Sequence, residues 1–135
     1  MGARTKARKR AMDVLFAADV RGEDPSEVLA AEAARAAGEP DRAASWAYAR
    51  QIVEGVIEHR AEIDELIAST ARGWTLERMP AVDRAILRIA VWEMQRNPKV
   101  PAAVAIDEAV EAAKQFSTDD SGKFVHGVLG RLGDR

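Results

Sequence analysis

The sequence predicts a compact fold built of α-helices, and three of its features lead to this prediction. Alanine, the best helix former and a poor strand former, supplies 27 of the 135 residues. Aromatic residues make up only 5 % of the chain, and the β-branched residues are scattered rather than clustered. Apolar residues recur at the three- and four-residue steps that are typical of amphipathic helices. A β-sandwich or a β-barrel is therefore not expected.

The length and composition also limit the kind of protein this is. One core can bury about two-thirds of the extended surface of such a chain, so residues 1–135 are expected to form a single domain. The absence of cysteine excludes disulfides, thiolate zinc sites and a cysteine nucleophile. No apolar run reaches the roughly 18 residues of a membrane span, and the N-terminus does not resemble a secretory signal. We expect a cytoplasmic protein with no membrane contact.

The first half of the chain predicts four helices. The first is expected to begin in the basic N-terminal segment and to end at Arg21, with Gly22 as its left-handed cap. Asp24-Pro25-Ser26-Glu27 combines a capping aspartate, a proline at the first helical position and a glutamate three residues after the cap, so an alanine-rich second helix begins there. The apolar pattern that starts at Asp41 is unusually long and thins near Glu58–Ala61, which predicts two helices with a break between them.

The second half predicts a short turn and three more helices. The turn is expected at Thr75–Arg78, with the threonine as its cap. Pro80 then opens the most apolar helix of the chain, which Asn97-Pro98 ends. Because this helix is apolar nearly all round, it is expected at the centre of the fold. Val100-Pro101 introduces a helix that ends near Phe116, and a polar turn separates it from the last helix.

The N-terminus carries a basic arm on an otherwise acidic chain. The net charge is −2, yet outside residues 4–10 there are 15 basic and 22 acidic groups. Such an arm suits a phosphate backbone or an anionic membrane surface. The lack of large apolar residues between the charges disfavours a membrane, whereas arginine-rich segments often dock on RNA. Alternatively the arm is a disordered solubilising tail. In both cases we expect it to contribute little to stability. Its basic residues are Arg4, Lys6, Arg8, Lys9 and Arg10.

Residue patterns typical of catalysis are lacking. His59 and His126 have no carboxylate at metal-ligand spacing, and the sequence holds no phosphate-binding or nucleophile-elbow motif. We therefore expect no enzyme activity, no metal and no cofactor. Asp119-Asp120 is better explained as complementing the positive end of the last helix than as a metal pair. Glu77 and Asp83 either complement the dipole of the central helix in the same way or form an acidic edge for a basic protein partner.

Several stretches resemble the NusB family of bacterial transcription antitermination factors. They are PAVDRAILRIA at residues 80–90, VAIDEAV at residues 104–110 and FSTDDSGKFVHGVL at residues 116–129. The opening Arg-Lys-Arg-Ala at residues 8–11 resembles the arginine-rich start of the family. The resemblance is collinear over nearly the whole chain and weakest in residues 24–40. One departure is His126, which stands where the family usually has asparagine.

The resemblance implies two small helical bundles packed into one domain, and RNA binding rather than catalysis. Family members bind the boxA element of ribosomal RNA leader transcripts together with the ribosomal protein NusE, and help RNA polymerase, with other Nus factors, to pass terminators. The basic arm would then contact RNA, and so would Asp120, Lys123 and Phe124. Of these, Phe124 is expected to combine RNA contact with packing. Glu77 and Asp83 would face basic residues of NusE.

Other functions compete with this interpretation. The same helical domain occurs in some ribosomal RNA cytosine methyltransferases, but no methyl-donor domain follows here, so we expect a free-standing factor. The main alternative is a helical protein-interaction module, self-associating or accessory, without specific RNA binding. A helix-turn-helix DNA binder is disfavoured because basic residues outside the arm are interspersed with acidic ones. Whether the free protein is a monomer or a homodimer stays open.

Overall fold

The computed structural model describes residues 2–134, apart from the side chains of residues 40 and 41. Within this range the chain forms helices and connecting turns without any strand, which confirms the all-α prediction. A 3₁₀ turn at Leu76–Arg78 precedes the central helix. The seven α-helices of residues 2–134 are α1 (Ala3–Arg21), α2 (Pro25–Ala36), α3 (Pro40–Glu58), α4 (Arg60–Thr70), α5 (Ala81–Arg96), α6 (Ala102–Phe116) and α7 (Ser121–Gly133).

The helices form two groups that share α5. Helices α1, α2 and α3 pack against one another, and α4, α6 and α7 pack around α5. Helix α5 also packs on α1 and α3 and so joins the two groups, as the arrangement in two bundles requires. It is buried over an unbroken run from Ala85 to Glu93, because its sequence is apolar on almost every side. The prediction of a central α5 is confirmed.

The helix ends follow the local signals in the sequence. Gly22 adopts a left-handed conformation with φ of 67° and closes α1. The carboxylate of Asp24 accepts a hydrogen bond from the backbone N–H of Ser26 at 2.9 Å, which caps α2. The predicted break lies at His59, between α3 and α4. Thr75 precedes the 3₁₀ turn but makes no side-chain capping bond, so the prediction of a threonine cap is wrong.

Helices α3 and α5 approach closely at a glycine. A Cβ atom on Gly55 would collide with Nε1 of Trp92. The indole of Trp92 is itself 5 % exposed and belongs to the core, beside the fully buried Ile52 and Val56. Because a packed core tolerates little added volume, this contact requires glycine.

Replacing Gly55 with alanine should therefore destabilise the protein by about 1–3 kcal/mol, since the added methyl group must displace Trp92. The matched control is Gly130→Ala in α7, where no atom lies within 4 Å of the new Cβ. That change should stabilise the helix by roughly 0.5–1 kcal/mol. Urea unfolding of both variants measures the difference. Equal stability of Gly55→Ala and the wild type would contradict the close approach.

Candidate nucleic-acid interface

The basic arm is the first two turns of α1 rather than a disordered tail. Ala7 and Ala11 point into the core and are fully buried. Arg8 follows Ala7 and also turns inward, so that its side chain is only 11 % exposed. Arg4 and Lys6 are exposed. The basic residues of the arm therefore do not all lie on the solvated face of the helix, because Arg8 is turned into the protein.

Arg8 belongs to a buried polar network. Its Nε donates to both carboxylate oxygens of Glu93 at 3.0 Å, and its Nη1 lies 3.5 Å from a carboxylate oxygen of Glu108. The hydroxyl of Tyr48 donates to the second oxygen of Glu93 at 2.5 Å. Asn97 in turn donates to the Tyr48 hydroxyl at 3.0 Å. The carboxylate of Glu93, which is 1 % exposed, thus accepts its hydrogen bonds from other side chains of the protein.

Protonation states follow from this arrangement. Burial opposes the charge on Arg8, but the hydrogen bond to Glu93 and the charges of Glu93 and Glu108 raise the pKa of Arg8 above its usual value. Burial and the hydrogen bond to Glu93 raise the pKa of Tyr48 to about 12. At neutral pH, Glu93 therefore faces one permanent cation and one neutral phenol.

Through this network the basic arm also affects the stability of the fold. Loss of Arg8 would leave Glu93 buried without its cation, and breaking a buried pair in this way costs about 3–5 kcal/mol. This contact predicts, against the expectation from the sequence, that the arm contributes to stability and that deletion of residues 1–10 lowers the melting temperature.

Two other arginines of the arm lie on aromatic rings of α3. The guanidinium of Arg10 is 5.4 Å from the ring centre of Trp46, and its Nε donates to Ser45 at 2.9 Å. The guanidinium of Arg4 is 5.5 Å from the ring centre of Tyr48. Cation–π contacts of this kind contribute about 0.5–1 kcal/mol at exposed sites. They orient the two arginines along the edge between α1 and α3.

Lys9 connects the arm to the far end of α6. Its ammonium group lies 4.8 Å from the ring centre of Phe116 and also pairs with Asp13 at 2.7 Å. The pair with Asp13 is exposed and contributes little. Since Phe116 is the last residue of α6, this contact places the basic helix beside the turn that leads into α7.

The start of α7 carries the other residues expected to contact RNA. Asp120 and Lys123 are exposed, and Phe124 is half-buried and packs on the core. The ring of Phe124 meets that of Trp74 edge to face, with centres 6.0 Å apart. Trp74 is 52 % exposed and forms with Phe124 part of a shallow pocket that Asp120 also lines. Cationic, acidic and aromatic groups therefore lie together here.

Asp83 occupies a different place from the one expected. Its carboxylate accepts hydrogen bonds from the hydroxyl groups of Ser117 at 2.5 Å and Ser121 at 3.0 Å, and the residue is only 2 % exposed. Asp83 therefore ties the beginning of α5 to the turn between α6 and α7. The expected surface position of Asp83 is therefore wrong. The hydroxyl groups of Ser117 and Ser121 bind its carboxylate inside the protein.

Glu77 lies exposed on the 3₁₀ turn. Arg84 holds this turn from α5, because its Nη1 donates to the carbonyl oxygens of Leu76 at 2.9 Å and Met79 at 2.7 Å. Asp19 of α1 accepts from Nε of the same guanidinium at 2.8 Å. The carboxylate of Glu77 is therefore presented on a fixed segment.

Sequence reasoning missed Glu93, Tyr48 and Trp74. A signal for Glu93 was present, since it lies seven residues after Ile86 on a helix that is apolar nearly all round. A carboxylate at such a position requires a cationic partner. Nothing in the sequence alone paired it with Arg8, which is 85 residues away.

The described residues contain no group of three or more His, Asp or Glu side chains placed to hold a metal ion. None of the helices in residues 2–134 is long and apolar enough to cross a membrane. His59 lies at the junction of α3 and α4, and His126 is exposed on α7.

The fold and this surface define a helical binding protein. A family model described as the NusB family matches residues 5–134. The transcription antitermination protein NusB of Leifsonia xyli subsp. xyli (strain CTCB07) is 64 % identical over 132 residues, which cover 98 % of this chain and 92 % of that protein. The chain belongs to the NusB family of transcription antitermination factors, which are not catalysts.

Solved structures agree with this assignment. A structure of T. maritima NusB superposes with a TM-score of 0.85 at 34 % identity and covers 98 % of this chain and 91 % of its own. A chain from the crystal structure of antitermination factors NusB and NusE in complex with dsRNA gives 0.83 at 28 % identity, covering 99 % and 98 %.

Replacing Asp83 with alanine should lower the free energy of unfolding by about 1–3 kcal/mol, because the hydroxyl groups of Ser117 and Ser121 lose their buried acceptor. Asp119→Ala, an exposed change near the same turn, serves as the control and should stay within about 0.5 kcal/mol of the wild type. Chemical unfolding measures both. If the two variants were equally stable, the carboxylate would not hold the turn.

Proposed function

We propose that this protein binds boxA-containing RNA of ribosomal RNA leader transcripts together with the ribosomal protein NusE, and that it acts by assembly. The observation that carries the proposal is the position of Lys9 over Phe116. It brings the basic helix α1 and the aromatic, charged start of α7 onto one continuous surface.

This surface has the chemistry that single-stranded RNA requires. Cations along α1 can follow the phosphate backbone, and the half-buried ring of Phe124 at the start of α7, beside the exposed Trp74, offers a stacking surface for an unpaired base. The proposed RNA contacts on α1 are Arg4, Lys6, Lys9 and Arg10. Those on α7 are Asp120, Lys123 and Phe124, where Phe124 serves both packing and stacking.

Relatives support the same function. Chains of similar fold occur in the structure of NusB and NusE with dsRNA and in another described as a plectonemic RNA supercoil, the latter at 30 % identity and a TM-score of 0.84. RNA and NusE are therefore the partners that we propose for this protein.

The acidic 3₁₀ turn is the proposed contact for NusE. Glu77 is exposed there on a segment that Arg84 fixes, and a carboxylate so placed attracts a basic protein surface. Asp83 supports this face indirectly, because it holds the neighbouring turn through Ser117 and Ser121.

The proposal extends to the cellular assembly. Residues 1–135 would act as one RNA-binding domain in the cytoplasm, and the RNA-bound protein would join other Nus factors and RNA polymerase. Phe16 and Val20, which α1 leaves exposed, supply an apolar surface for a homodimer of the free chain.

Neutralising Lys6 and Lys9 together should weaken binding of boxA RNA and flatten its salt dependence. On a single strand, the log–log slope decreases by about 0.7 for each phosphate that the protein no longer neutralises. The control is Arg50→Gln, which removes one exposed charge from α3 and should change neither the slope nor the affinity by much. Gel-shift titrations over a range of salt concentrations measure both quantities. An unchanged slope in Lys6→Gln/Lys9→Gln would favour a protein-interaction module in place of an RNA-binding factor.

Reversing the charge of Glu77 should weaken NusE binding and leave RNA binding by the isolated protein nearly unchanged. Attraction to a basic partner becomes repulsion, so the affinity for NusE in Glu77→Lys should fall by about tenfold or more. Glu54→Lys on the exposed side of α3 is the matched control. Calorimetric titration of NusE into each variant gives the affinities, and wild-type affinity in Glu77→Lys would exclude this turn from the interface.

A further inference from the structure

We propose that Arg8 is a positioning residue, which fixes the orientation of the basic helix while its neighbours contact the phosphates. This inference rests on the RNA binding proposed above. It separates Arg8 from the other four basic residues of the arm, although the sequence gives no reason to distinguish them.

The guanidinium of Arg8 is already engaged. Both oxygens of Glu93 accept from its Nε, and Glu108 lies beside its Nη1. Arginine recognises phosphate through the same fork of N–H donors. A phosphate would have to replace Glu93, and would leave a carboxylate that is 1 % exposed without its cation. Such an exchange is unfavourable.

The network around Arg8 joins four helices. Arg8 lies on α1, Tyr48 on α3, Glu93 on α5 and Glu108 on α6. Thr5, one turn before Arg8, donates to Glu108 at 2.8 Å. Two consecutive turns of α1 are therefore attached to the rest of the protein by side-chain hydrogen bonds.

Local interactions do little to hold these turns. Gly2 at the N-cap has no side chain to accept a hydrogen bond, and the first turn contains no acidic residue. Basic side chains near the positive end of a helix are unfavourable for its dipole. The start of α1 therefore depends on tertiary contacts, and the contacts with Glu93 and Glu108 supply them.

The rotation of α1 then determines where the other charges point. An α-helix turns by about 100° per residue. With Arg8 directed at Glu93, Lys6 lies about 160° away on the solvent side, and Lys9 about 100° away toward α6. The exposure of Lys6 and the contact of Lys9 with Phe116 agree with this geometry.

Amide hydrogen exchange tests the positioning role without RNA. The variant is Glu93→Gln, which keeps the shape and removes the charge that holds Arg8. Exchange at residues 5–10 should accelerate by about tenfold or more, while exchange in α7 should stay near the wild-type rate. Glu111→Gln, an exposed change of equal charge on α6, should alter neither. Unchanged exchange at residues 5–10 in Glu93→Gln would overturn the proposal.

The salt dependence of RNA binding tests whether Arg8 contacts phosphate. The double variant Arg8→Met/Glu93→Met removes both charges, so no unpaired buried charge remains and the fold is kept. If Arg8 only positions the helix, affinity for boxA RNA falls and the log–log slope stays at the wild-type value. If Arg8 binds a phosphate, the slope decreases by about 0.7, as in Lys6→Gln.

The two measurements distinguish failure of this inference from failure of the proposed function. A smaller slope in Arg8→Met/Glu93→Met, with normal binding by the wild type, overturns the positioning role alone. If the wild type shows no salt-dependent RNA binding, the proposed function is wrong. The proposal that α1 directs basic side chains at RNA phosphates is then wrong as well. The exchange rates would still decide whether Glu93 orders the helix.

Discussion

One buried carboxylate, that of Glu93, fixes how the basic helix α1 packs on the rest of the protein. Glu93 lies on the central helix α5 and binds Arg8 of α1 and Tyr48 of α3 at the same time. A charge in the core is tolerated only when its partners are complete. Glu93 therefore imposes a constraint on both neighbouring helices, because neither can shift without leaving the carboxylate unsatisfied.

Other polar side chains along α5 also bind neighbouring elements and hold them in place. Asp83 at its beginning holds the turn before α7. Arg84 binds the 3₁₀ turn, and Arg88, only 6 % exposed, donates to Asp64 of α4 at 2.9 Å. Apolar packing gives the two bundles their stability, while these polar contacts fix which surfaces lie side by side. The proposed RNA and NusE surfaces are both attached to this helix.

Most of the fold could be predicted from the sequence, because helix ends and apolar periodicity are local signals. The Asp24 cap, the Gly22 terminus and the break at His59 all required only neighbouring residues. The environment of each charged group was harder to predict. Asp83 and Arg8 look like surface residues in sequence, and only partners far along the chain make them interior ones. The residues proposed to contact RNA and NusE stay predictions.

The poorly capped, cationic start of α1 has a consequence for how the protein is made. The partners that hold it, Glu93 and Glu108, lie 85 or more residues later in the chain. A ribosome synthesises these partners several seconds after the arm, at about 5–20 residues per second. The start of α1 is thus made well before the helices that hold it, so its ordering must wait until α5 and α6 have formed.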